Sequence, residues 1–153
     1  PHGLTSLADP RIVAAIAISP AAPRGGHGLP DNPAAAARVA FGQIHVPLLS
    51  VTGTRDMSQF DPRMAPADRE HLFEALPPGE AYLLVLGGAS HADLSGCVSE
   101  AAVCQDMDGI NATFEKVTTL FWKAMLLGDP AAAGVLKTPP PGLVRPVDTY
   151  AVR

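Results

Sequence analysis

Apolar residues gather in three short runs, each closed by turn-forming residues. Ile12-Val13-Ala14-Ala15-Ile16-Ala17-Ile18 ends at Ser19-Pro20, Val46-Pro47-Leu48-Leu49-Ser50-Val51-Thr52 ends at Gly53, and Ala81-Tyr82-Leu83-Leu84-Val85-Leu86 ends at Gly87-Gly88. Each run is too short for a typical globular helix, and none alternates apolar with polar. Near-continuous apolar runs of this length predict strands buried on both faces, as in parallel sheets.

Helical patterns lie between and after these runs. Asp31-Asn32-Pro33 offers capping residues and a first-turn proline, and Ala34 to Ala40 continues it with good helix formers. Pro66 to Leu76 places Leu72, Phe73 and Leu76 on one side, with Asp68, Arg69, Glu70 and Glu74 mostly elsewhere, until Pro77-Pro78-Gly79 stops it. From about Gly109 to Leu127, Ile110, Phe114, Val117, Phe121 and Ala124 recur at steps of four and three, while Glu115, Lys116, Thr119 and Lys123 face away. Gly128-Asp129-Pro130 reads as its end, followed by a short Ala-rich turn. Residues 138–153 read as a Pro-rich tail that wraps the surface or hangs loose.

The order strand, helix, strand, helix, strand, long loop, helix makes two βαβ units and a terminal helix. The expectation is an α/β domain with about three parallel strands and flanking helices over residues 1–137. Three such strands leave apolar faces in want of neighbours, so the pattern reads like the end of a larger domain. The opening Pro1 fits either removal of a leading segment or a piece of a longer protein.

Composition narrows the classes of function. The 153 residues carry 11 Lys+Arg and 15 Asp+Glu, a formal net charge of −4, and 47% are apolar. Few, scattered basic residues leave no electrostatic footprint for nucleic acid or an anionic membrane. No apolar run approaches the roughly 20 residues of a membrane span, and no secretory signal pattern opens the sequence. No H-x-x-x-H or C-x-x-C spacing points to a metal, so neither metal nor cofactor is expected.

The strand ends carry the candidate chemistry, since in open parallel sheets functional groups collect there. The second strand runs into Gly53-Thr54-Arg55-Asp56 and the third into Gly87-Gly88-Ala89-Ser90-His91-Ala92-Asp93. Adjacent parallel strands lie about 4.8 Å apart, so Asp56 and His91 can meet. A carboxylate on one imidazole nitrogen fixes the tautomer and leaves the other nitrogen as general base. Asp61, in an Asp-Pro-Arg turn, and Asp93, two residues from His91, are rivals for the acid and read as structural. His27, His45 and His71 read as solvated surface or loop residues.

Strand–TGTRD–helix–LPPG–strand–GGASH–long helix resembles the C-terminal half of the α/β-hydrolase fold. Val46 to Gly96 is similar to bacterial hydrolases related to dienelactone hydrolase, chlorophyllase and platelet-activating-factor acetylhydrolase. The Gly-Ala-Ser-His stretch also resembles that around the catalytic His of cutinase-like polyester hydrolases. More weakly, Asp9-Pro10-Arg11 through Ser19-Pro20 resembles the strand after the nucleophile helix. In that family the triad runs Ser, then acid, then His, so the resemblance implies that Asp56 is the acid and His91 the base. Residues 1–137 would be the C-terminal portion of such a domain. The family's nucleophile sits in a G-x-S-x-G elbow. None of Ser6, Ser19, Ser50, Ser58, Ser90, Ser95 and Ser99 has glycine both two before and two after it. The resemblance therefore implies a serine supplied by an N-terminal half outside this chain, which would also be its partner, and a small-molecule ester as substrate. Ala21 to Pro30 and Met57 to Met64 would line the acyl or alcohol pocket.

Three other readings stay open: a degenerate hydrolase module used for protein contacts, a Cys or Asp nucleophile on the same fold, and a flavodoxin-like or response-regulator-like binding domain. The last would want an acidic cluster or phosphate loop after the first strand, where the chain has Ser19-Pro20-Ala21-Ala22. Cys97 and Cys104, in the loop after His91, fit a disulfide that steadies the His-bearing segment or two free thiols. The bridge, slightly favoured, would go with a periplasmic or secreted location.

Overall fold

The computed structural model describes residues 9–21, 23, 25, 26, 28–58, 60–95 and 107–153. His27 and the Cys97–Cys104 pair lie outside the described residues. The architecture is α/β: a four-stranded, mostly parallel open sheet with flanking helices. Strands β1 (Ala15–Ile18), β2 (Leu48–Arg55) and β3 (Ala81–Ser90) lie side by side in chain order and run parallel. A fourth strand, β4 (Thr149–Val152), pairs antiparallel with β3, Tyr82 opposite Val152 and Val85 opposite Thr149. The sheet therefore has four strands rather than about three, and the end of the tail is docked rather than loose, because the β-prone Thr-Tyr-Ala-Val tetrad finds the outer edge of β3.

Alternation along β2 and β3 sorts their side chains to two covered faces. Leu49, Val51, Tyr82, Leu84 and Leu86 face a core completed by Ile110, Val117 and Phe121 of helix α4 (Met107–Leu127) and by Leu136 of helix α5 (Pro130–Lys137). Leu48, Ala81, Leu83 and Val85 face Leu72, Phe73 and Leu76. Helix α1 (Pro33–Phe41) buries Ala36 and Ala37, its N-terminus capped by the Asn32 side chain on the Ala35 N–H. β2 and β3, apolar on both sides, are thus buried on both sides, as the run pattern predicts. β1, at the sheet edge, is only partly buried, with Ile18 exposed, as are Ile12 and Val13 just before the strand.

The expected Ala-rich turn is instead α5. Asp129 accepts hydrogen bonds from the Ala131 and Ala132 N–H groups and Pro130 fills the first turn, the same start signal as in α1. Tyr150 of β4 ties this helix to the sheet by donating its hydroxyl to the Leu136 carbonyl at 3.0 Å. Burial, with a smaller effect of Tyr82, raises the Tyr150 phenol well above its ordinary range.

The tail also clamps the bend before His91. Asp148, whose side chain is fully buried, accepts from the Gly87 N–H at 2.8 Å and from Arg145 Nη2 at 2.7 Å, while Arg145 Nη2 also reaches the Gly87 carbonyl. A Cβ at Gly87 would run into the backbone of Val147, so this close approach requires glycine. Burial raises the Asp148 carboxyl, but hydrogen bonds from Arg145 and Gly87 outweigh it and hold its pKa below the ordinary carboxylate value. The stability this provides is present above the unfolded-state pKa of about 3.9 and is lost as pH falls through the lower folded value. Asp148→Ala should therefore cost about 1–3 kcal/mol in urea unfolding at pH 7, a difference that shrinks in acid. Equal losses at pH 7 and pH 3 would contradict the clamp.

Candidate active site

The register of β2 and β3 brings the two candidate residues together. Arg55 is the last register partner of Ser90, so the next residue on each strand, Asp56 and His91, leaves the sheet at one point. An irregularity between Gly53 and Arg55 opens the turn, in which the Asp56 N–H donates to the Gly53 carbonyl at 3.1 Å. A side chain at Gly53 would collide with the backbone of Ala89. On the other strand Gly88 turns in the left-handed region at φ +80°, and its N–H donates to Thr54 Oγ1 at 2.8 Å. Arg55 Nε donates to the Gly88 carbonyl at 2.7 Å, lashing the two turns together.

His91 Nδ1 lies 2.9 Å from Asp56 Oδ1. The carboxylate is fully buried, whereas the imidazole is 38% exposed. That asymmetry suits a general base, with its inner nitrogen held and its ring still reachable. His91 opens helix α3 (His91–Leu94), whose first turn is closed by a capping box: Asp93 Oδ2 accepts from the Ser90 N–H and hydroxyl at 2.7 Å each, and Ser90 caps the Asp93 N–H. Asp93 is thus structural. Asp61 is too, accepting from the Arg63 N–H at 3.0 Å and from Arg63 Nε at 3.1 Å. His71 sits on helix α2 (His71–Ala75), 2.7 Å from Glu74.

Three residues around the carboxylate escaped the sequence reading. Ser19 Oγ donates to Asp56 Oδ2 at 2.6 Å, Thr52 Oγ1 donates to the same oxygen at 3.0 Å, and Arg69 Nε lies 3.2 Å from it. Arg69 was expected on the polar side of its segment. The structure buries it, 3% exposed, in a 3-10 turn (Pro66–Glu70) that leads into α2. A signal existed: Arg69 stands three residues before Leu72 and four before Phe73, on the apolar stripe itself. Ser19, read only as a strand stop, has its backbone in the left-handed region at φ +50°, a rare conformation for a residue with a Cβ.

Among the described residues no hydroxyl or thiol bonds to the outer nitrogen of His91, and no group of His, Cys, Asp or Glu could hold a metal ion. No described helix is long and apolar enough to cross a membrane. A concavity lies at the opposite end of the strands, between His45, Pro47, Pro77, Gly79 and Ala81, away from the pair. In the loop expected to border a pocket, Met57 is half exposed and Phe60 almost fully exposed. No family model, no curated protein and no solved structure matches this chain.

Proposed function

We propose that this chain supplies the acid and base of a serine hydrolase of the carboxylic ester type, as the C-terminal portion of an α/β-hydrolase domain whose nucleophile comes from outside it. The observation that carries the reading is the buried Asp56 carboxylate on Nδ1 of a reachable His91, at the carboxyl ends of adjacent parallel strands. Acid before base along the chain agrees with the order in that fold.

The chemistry follows from the protons. A serine hydroxyl brought to Nε2 of His91 gives up its proton as its oxygen attacks the ester carbonyl, and the imidazolium so formed is stabilised by Asp56. Collapse of the tetrahedral intermediate expels the alcohol, which takes the proton back from Nε2. Water then repeats the cycle on the acyl-enzyme. Asp56 holds the ring and stays ionised throughout. The connection between the first two strands, residues 19–47, is too short for a large helical lid, in keeping with small or extended esters.

The test is hydrolysis of a short-chain aryl ester by the parent protein that this reading requires, the chain joined to its upstream half. Turnover and labelling by a serine-directed phosphonate are both expected, with turnover lost in His91→Ala. The isolated chain should do neither. A folded parent protein that neither turns over the ester nor takes the label would overturn the assignment and favour the degenerate module. Turnover by the isolated chain would place a nucleophile within it.

A further inference from the structure

We propose that Arg69, acting through Ser19, is a positioning residue that holds the Asp56 carboxylate against His91 Nδ1 and thereby keeps the ring proton on that nitrogen. Its use in catalysis rests on the hydrolase reading, but the positioning itself does not.

The two carboxylate oxygens have very different surroundings. Oδ2 accepts from the hydroxyls of Ser19 and Thr52 and lies beside the Arg69 guanidinium. Oδ1 faces His91 Nδ1. A carboxylate free to turn about its last torsion would swing its oxygens out of line with Nδ1 and offer the ring a shifting partner. Loading one oxygen with two hydroxyl donors and a cation stops that rotation. An ionised carboxylate only accepts, so the nitrogen facing Oδ1 must be the protonated one. The outer nitrogen of a neutral ring is then bare, which is the form a general base needs.

Arg69 is placed to impose this arrangement. Its Nε donates to the Asp56 carbonyl at 2.9 Å, and Nη1 donates to the carbonyls of Ser19 at 2.7 Å and Pro20 at 3.3 Å. One buried side chain therefore bridges the loop after β1 and the turn after β2. Ser19 is held at each polar group: its N–H donates to the Val51 carbonyl at 2.8 Å, its carbonyl accepts from Arg69, and its hydroxyl donates to Asp56. A left-handed Ser19 persists only where its surroundings determine it, and here the guanidinium supplies that determination. Only a planar fork of donors can span both loops; a lysine offers a charge without the span.

The experiment is nitrogen-resolved NMR of the His91 ring in this 153-residue chain, at a pH where the ring is neutral. In the unsubstituted chain the Nδ1–H tautomer should dominate. In Arg69→Lys and Arg69→Met it should fall to the minority form, while the amide spectrum of β2 and β3 stays dispersed. Ser19→Gly removes the hydroxyl yet accommodates the backbone, so it decides the question if the Arg69 variants fail to fold; a fall in the Nδ1–H share is again expected. Retention of the original tautomer in every folded variant overturns the positioning role and leaves the hydrolase reading intact. An Nε2–H tautomer in the unsubstituted chain overturns both.

Discussion

Asp56→Ala is expected to lower the free energy of unfolding by about 3–5 kcal/mol, read from denaturant midpoints at neutral pH. The residue is fully buried, and so is the Arg69 guanidinium 3.2 Å from its carboxylate. Truncation leaves that cation without its counter-charge in a site closed to water, together with the unanswered hydroxyls of Ser19 and Thr52. The magnitude belongs to the orphaned groups rather than to the ion pair itself, whose attraction is largely offset by desolvation. A double substitution makes the distinction: Asp56→Ala with Arg69→Met removes the orphan and should lose less than the two single losses added together. A single-variant loss below about 1 kcal/mol, the range of exposed pairs, would contradict the burial of this pair.

Phe121→Ala is expected to be comparably severe, about 3–5 kcal/mol, for a different reason. Phe121 is fully buried where α4 crosses the sheet, edge-on to Tyr82 with ring centroids 5.8 Å apart and an interplanar angle of 78°. Its removal leaves a cavity beside Tyr82 in the core that also holds Leu84, Val117 and Leu136, residues that cannot move without disturbing a strand or helix. Trp122, next in sequence, stacks edge-on with Phe121 at 5.3 Å but is 37% exposed. Trp122→Ala should accordingly cost much less. Equal losses in the two variants would mean that α4 presents a different face to the sheet.

Much of this architecture is legible in the sequence because burial on both faces leaves so plain a mark. Runs such as Leu83-Leu84-Val85-Leu86 cannot be anything but interior in a chain of this polarity, and steps of three and four from Ile110 to Ala124 give the face of α4. What is not legible follows from contacts distant in sequence. Gly87-Gly88 looks like the end of a strand, yet β3 continues to Ser90, because the tail donates to and accepts from Gly87. The prolines between 138 and 146 mask Thr149–Val152, which become a strand only once the edge of β3 is available to them. Asp129-Pro130 reads as the stop of one helix and is also the start of the next.

The candidate site divides in the same way. Asp56 and His91 stand out since each follows a glycine at a strand end, and the register that joins them is a consequence of adjacent parallel strands. Thr52, Ser19 and Arg69 carry no such mark. Their role exists only after three separate segments converge on one carboxylate, and Arg69 in particular sits among Asp68 and Glu70 as if on a solvated face.

The pairing of Asp56 with His91 is tested most directly by locating the proton on the neutral His91 ring, by nitrogen-resolved NMR, in the unsubstituted chain and in Asp56→Asn. An asparagine that keeps its carbonyl oxygen toward Ser19, Thr52 and Arg69 must turn its NH2 group to the imidazole, so Nδ1 becomes an acceptor. A proton on Nδ1 in the first protein and on Nε2 in the second, both folded, is the predicted result. A proton on Nε2 in the unsubstituted chain, or one that does not move on substitution, would contradict it.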